Sequence, residues 1–247
     1  MNEIFAIAKK EFCSFFGSIV GYIVIGIFLL GGALALWFFP SEYNVLDSGY
    51  ADLSGFFALT PYLFLFLVPA ITMKSFAEER QQGTWEMLLS RPISHTQIVS
   101  GKALGCWLIV LVALVLSLVW WQSVKYLATP TGNVDSGGFW GAMIGLVWLS
   151  VIYTAIGIFS SSTTKNQIFA FVLASTLSFV VFKGFDFVSM LLSGSVSNMV
   201  SALGINYHYK SIARGVVDSR DLTYFVAVII LFLFATKVWI GRVVLKK

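Results

Sequence analysis

Six apolar runs, at about 17–39, 55–73, 103–124, 139–160, 166–183 and 222–241, constrain this chain more than any other feature. Each is long enough to carry a helix across a hydrocarbon core about 30 Å thick. In that solvent every backbone N–H and C=O has to be satisfied inside the segment, which leaves helices or a closed barrel. A barrel predicts short alternating segments, and these runs are continuous. With 58% hydrophobic and 11% charged residues among 247, too little polar surface remains for a soluble domain. The expected fold is an all-α integral membrane protein, one membrane domain over 1–247. The first run follows Glu3, Lys9, Lys10 and Glu11 and lacks a small-residue cleavage site, so it is expected to be a retained span and not a signal peptide.

Basic residues set the expected orientation. With both termini and the 74–102 loop inside, only Lys125, Lys183, Lys210, Arg214 and Arg220 of the 16 basic residues lie outside. The positive-inside rule favours that arrangement, and the net charge of +4 then reports topology and does not call for nucleic acid. Cys13 and Cys106 fall on the inner side, where a disulfide is not expected and two thiols make no metal site.

Residues 1–16 place Ile4, Ile7, Ala8, Phe12, Phe15 and Phe16 on one side of a helix and Lys9 and Lys10 on the other. That pattern predicts a helix lying along the inner surface. Glu11 falls within its apolar face and is unexplained by periodicity; a basic partner from another segment or water near the helix end would each account for it. Pro61 and Pro69 predict bends in the second span. Trp120 and Trp121 suit an outer interfacial belt. Gly137, Gly141 and Gly145 mark one face of the fourth span. The hydroxyls of Ser175, Thr176 and Ser178 are expected to bond back to their own helix. Between 184 and 221 two apolar pieces, about 185–192 and 196–205, are too short to span and predict re-entrant or interfacial helices. A polar loop around His208 follows.

The longest charge-rich interval is 74–102, KSFAEERQQGTWEMLLSRPISHTQIVSGK. Ser75 with Glu78 and Ser94 with Gln97 have capping-box spacing. Gly83 is placed to end a turn, and Pro92 to stop a short helix begun at Thr84. That short helix carries Trp85, Met87, Leu88 and Leu89, with Glu86 near its positive end. Such a knob suits the groove of a partner; a short amphipathic helix resting in the headgroup layer fits the same residues.

Catalytic chemistry finds no foothold. No phosphate-binding glycine loop occurs: Gly101 and Lys102 are followed by Ala103, so the chain has no such route to ATP. The two histidines, His95 and His208, fall on opposite sides and cannot form one metal or nucleophilic site. No acidic residue sits near the middle of a span, which argues against a proton-coupled carrier and an intramembrane acid protease.

Taken in order, IAKKEFCSFF, MKSFAEERQQGTWEMLLSRPIS, IVSGKALG, YTAIGIFSSSTTKNQIFAF and GVVDSRDLTYF resemble the type-2 membrane subunits of ATP-binding-cassette transporters over essentially the whole chain. LDSGYADLSGFF with LVPAITMKSFAEERQQGTWEMLLSRPIS is similar, more narrowly, to the permease subunit of the gliding-motility-associated transporter of Bacteroidetes-type bacteria. The resemblance implies an interfacial helix at 1–16, six spans, a cytosolic coupling loop at 74–102 and an outer re-entrant region at 184–221. It implies that Thr84, Trp85, Glu86, Met87, Leu88, Leu89 and Ser90 form a coupling helix seated in an ATPase. Glu78, Glu79 and Arg80 would be the charged end of the second span. It further implies a non-catalytic permease of the bacterial inner membrane with cytosolic termini, binding no cofactor itself. ATP and Mg would sit on two copies of a separate ATPase, and the chain would pair with itself or a second membrane subunit. A subunit that anchors a motility or secretion complex without moving a solute is the alternative function.

Overall fold

A computed structural model describes residues 2–85, 87, 93–215 and 218–245. The described residues are helical throughout their ordered elements. Helix α1 (Asn2–Phe16) turns into α2 (Ile19–Trp37) at Ser18, whose hydroxyl accepts from the Val20 N–H. A short α3 (Val45–Ser48), capped by Asn44, leads to α4 (Ser54–Thr72) and its near-continuation α5 (Lys74–Gln81). Then come α6 (His95–Leu127), α7 (Ser136–Thr163) and α8 (Gln167–Phe179). A single π turn, Val180–Gly184, joins α8 to α9 (Phe185–Met190). Short helices α10 (Ser195–Ser201) and α11 (Ile205–Ile212) precede α12 (Ser219–Leu245).

Among the described residues, six helical stretches are long and apolar enough to cross a membrane: 19–37, 54–81, 95–127, 136–163, 167–190 and 219–242. Of these α7 is the hub, 72% buried over its most apolar stretch, against 22% for the stretches holding α8 and α12. Small residues let the neighbours of α7 approach closely. A Cβ on Gly157 would collide with the Thr72 side chain of α4, and one on Gly141 would lie 2.6 Å from the Gly215 Cα that follows α11. Gly145 meets Ile212 in the same way, so Gly141 and Gly145 form the seat of α11, while Gly137 takes no part in it.

The two prolines of α4 lie inside one continuous helix and free two of its carbonyls. Pro61 cannot donate to the carbonyl of Phe57, nor Pro69 to that of Leu65. Each freed carbonyl is taken up by a hydroxyl from another helix. Tyr209 on α11 donates to the Phe57 oxygen at 2.6 Å, and Ser175 on α8 donates to the Leu65 oxygen at 2.9 Å. Burial pushes the Tyr209 phenol up, which keeps it a donor. In hydrocarbon, where water cannot repair a lost backbone bond, these two contacts fix where α8 and α11 sit against α4.

Several sequence expectations are corrected here. Ser75 does not cap a helix with Glu78: Met73 is already helical, Ser75 lies inside α5, and Glu78 accepts from Gln82 instead. The Ser94 and Gln97 capping box, by contrast, has both its bonds. Ser175 bonds across to α4 and not to its own helix, and the buried Ser178 hydroxyl has no partner among the described residues. Trp120 is no belt residue; it is buried against Phe28 and Phe56, where Gly32 leaves room for its ring. Trp121 stacks on Phe139 with ring centres 4.0 Å apart. The polar stretch at 205–212 is helix α11, not a loop. His208 on it is 14% exposed, with Nδ1 2.7 Å from Asp221 and Nε2 2.9 Å from the Ala202 carbonyl. Of the two short pieces expected at 185–192 and 196–205, the first is α9, which continues the fifth stretch through the π turn, and the second holds the separate short helix α10.

The proline contacts make a double-mutant test. Tyr209→Phe should destabilise the purified protein by about 1 kcal/mol, because it strands the Phe57 carbonyl. In a Pro61→Ala background, where the helix supplies its own donor, the same change should cost less than half of that by thermal unfolding in detergent.

Candidate functional site

The charged loop emerges from α5, and what holds α5 defines the site. Its first amides lack helical partners, and the Ser161 hydroxyl of α7 accepts from the N–H groups of Phe76 and Ala77 at 3.0 and 3.1 Å. The same hydroxyl donates to the Met73 carbonyl at 2.9 Å, so one serine bridges the α4–α5 junction. Further along, the Arg80 guanidinium donates to the Ser162 carbonyl.

On its other side α5 meets Lys102 of α6, which is 1% exposed. An ammonium has three donors, and here three acceptors surround it: Glu11 Oε1 at 2.5 Å, the Ser75 carbonyl at 2.6 Å and Glu79 Oε1 at 3.0 Å. The Phe76 ring lies 5.1 Å from the same nitrogen, within cation–π range. Lys10 adds an outer bond to Glu79 Oε1 at 3.2 Å. Glu11, the residue that broke the apolar face of α1, is thereby explained: it points into the protein at a buried cation. Gly101 and Gly105 of α6 let α1 come close enough, since a Cβ on either would lie 2.8 Å from atoms of Ile7, Ala8 or Glu11.

Gly83, with φ of 74°, ends α5 as expected, and the Thr84 hydroxyl donates back to the Glu79 carbonyl at 3.3 Å. The backbone is helical at Trp85 and Met87. Trp85 is turned inward: it is 7% exposed, 5.5 Å edge-on to Phe76, and shares a niche with Arg80, Ser162 and Ile240. Met87 is 69% exposed. Glu86, Leu88, Leu89 and Ser90 lie outside the described residues. Of the three charged residues expected at the end of the second span, Glu79 and Arg80 are bound into the protein and Glu78 pairs with Gln82.

Above this end opens a cleft of about 790 Å³ between α1 with the start of α2 and the α4–α5 and α6 wall. No group of three or more metal-ligating side chains occurs among the described residues.

A family profile described as ABC-2 family transporter protein matches residues 5–202, about four-fifths of the chain. The chain belongs to this family. It is therefore a multi-pass permease of an ATP-binding-cassette transporter, a membrane component of a machine whose ATPase is a partner protein. A search of curated proteins returns no match. Within the permease, the sequence singles out Glu79 in the charged end of the second span and Glu11 in an apolar face, but gives Lys102 only as an inner-side basic residue at the end of a failed phosphate loop. Ser161 carried no recognisable signal, since its role depends on α7 reaching the α4–α5 junction.

The ion-pair cluster gives two unequal predictions. Lys102→Met leaves Glu11 and Glu79 facing each other in a buried site and should destabilise the permease by about 3–5 kcal/mol. Lys10→Met, at a side chain 66% exposed, should stay within about 1 kcal/mol. Denaturation of both variants in one detergent checks the difference.

Proposed function

We propose that the permease converts ATP-driven closure of two copies of a separate ATPase into movement at the interface between two membrane subunits, receiving the push at Thr84–Ser90. The observation that carries this reading is the double anchoring of α5. The helix feeding the loop is tied to α7 by Ser161 and Arg80 and to α1 and α6 by Lys102. A force on the loop then reaches α1, α6 and α7 without a slack joint, as a lever requires.

The family relation supports ATP coupling, and the distribution of basic residues supports a bacterial inner-membrane location with cytosolic termini and loop. Helix α1 then lies at the inner headgroup level, with Phe5 outward and Ala8 against α6. Helix α9 ends the fifth stretch, and α10 lies at the outer face beyond it. The second membrane subunit is another copy of the chain or a related one, and the narrower sequence likeness points to a gliding-motility-associated system. The permease itself binds no cofactor; ATP and Mg belong to the ATPase.

Because Trp85 is buried, ATPase contacts would rest on the residues beyond it and not on the indole. Glu86→Lys and Leu88→Asp should each lower recovery of the co-expressed ATPase in affinity purification at least fivefold, while Trp85→Ala should lower the stability of the permease itself. Undiminished ATPase recovery with both loop variants would refute the coupling role. ATP hydrolysis by the reconstituted complex that is indifferent to these variants would indicate an anchoring subunit.

A further inference from the structure

The far end of the molecule from the charged loop carries a second, largely buried ionisable pair. Helix α11 seats on Gly141 and Gly145 near the start of α7, whereas Ser161 meets α5 near its end. Gly145 and Ser161 are 16 residues apart, about 24 Å along a helix. His208 of α11 stands between the turn that follows α10 and the first turn of α12. Its Nε2 is 2.9 Å from the Ala202 carbonyl and its Nδ1 is 2.7 Å from Asp221 Oδ1.

A carbonyl only accepts, so Nε2 must carry a hydrogen. A hydrogen must also lie between Nδ1 and Oδ1, whichever atom owns it, because two lone pairs do not face each other at 2.7 Å. The pair therefore holds one proton more than a neutral ring and a carboxylate carry between them. Asp221 Oδ2 is buried without a partner among the described residues, so this shared proton is the only one the carboxylate meets there. The Tyr224 ring lies nearly parallel to the imidazole, 4.0 Å between centres, which favours a charged ring. Phe225 and Tyr207 meet it edge-on. The turn side offers no competing charge, since 195–204 contains no titratable side chain. Lys210, Arg214, Asp218 and Arg220 are exposed, and the Lys183 and Asp186 pair is engaged with Asn206 of α11.

Tyr224 also donates to the Leu203 carbonyl at 2.5 Å, beside the carbonyl that His208 takes. Two adjacent carbonyls of the α10–α11 turn are thus bound to α12, one by Tyr224 directly and one through His208 and Asp221. We propose that the proton shared by His208 and Asp221 is a latch: held, it docks the α10–α11 turn on α12; given up to solvent, it frees the turn and α10. Without it a buried carboxylate faces an imidazole lone pair and has no donor, a cost that parting relieves. Docking and proton uptake are linked, so the turn is held at low pH and freed as pH rises. With the charged loop inside, as proposed above, the latch faces the outer solution; the pH response itself does not depend on that sidedness or on ATP coupling.

Hydrogen exchange of the purified full chain, read by mass spectrometry over 195–212 at about pH 6 and about pH 9, tests it. After correction for the intrinsic rise of exchange with pH, these amides should exchange at least about fivefold faster at the higher pH, the scale of one lost hydrogen bond, while those of α7 stay unchanged. Asp221→Asn supplies an N–H that a neutral Nδ1 accepts, so it should keep the turn protected at both pH values. His208→Phe retains the stack on Tyr224 but makes neither bond, and should leave 195–212 fast at both. A wild-type segment indifferent to pH, an Asp221→Asn variant that follows pH as the wild type does or exchanges fast throughout, or a His208→Phe variant that still responds to pH would overturn the proposal.

Discussion

A single buried ammonium organises the loop-side end of this permease. Lys102 cannot be stable there unless every one of its donors is met, because an unpaired charge in a low-dielectric interior costs several kcal/mol. Its three acceptors come from two different segments, Glu11 of α1 and Ser75 and Glu79 of α5, with Lys102 itself on a third, α6. Satisfying it therefore fixes α1 against α6 and both against the end of the second span. Much of the surrounding sequence serves that geometry: Gly101 and Gly105 let α1 approach, Phe76 faces the cation, and Lys10 balances the second carboxylate.

Within the membrane the binding logic is different but the physics is shared. Prolines in α4 expose two carbonyls inside the membrane, and the hydroxyls of Tyr209 and Ser175 close them. Hydrocarbon makes an unmet backbone group expensive, so each proline specifies a neighbour. Helix α4 is thus held through carbonyls along its length and through Ser161 where it becomes α5. A helix fixed at so many points moves with its neighbours, which suits an element that receives force at one end.

The charged loop shows how amphipathic residues divide between inward and outward tasks. Trp85, the most conspicuous side chain of the loop, closes a niche over Phe76, and Met87 two positions on is exposed. The indole has more to gain from burial against an aromatic ring than from display, so it stiffens the base of the loop.

Composition and periodicity alone determined that the chain spans a membrane with six helices, where most of those helices lie, and that its charge is gathered in one loop. Lipid permits few alternatives, and a run of about 20 apolar residues has to be a spanning helix. Caps read from neighbouring residues, such as Ser94 with Gln97, were legible because their partners are three positions apart. The Ser75 and Glu78 spacing was equally good and misled, because Ser75 already lies inside α5 and the amides at its start are taken by Ser161 of α7. Only the tertiary structure decided which residues meet across long separations: Glu11 with Lys102, Ser161 with the amides of Phe76 and Ala77, Tyr209 with the carbonyl that Pro61 frees. Those pairings depend on how rigid helices pack, which local spacing does not encode; an acidic residue in an apolar stripe announces that a partner exists without saying where it is.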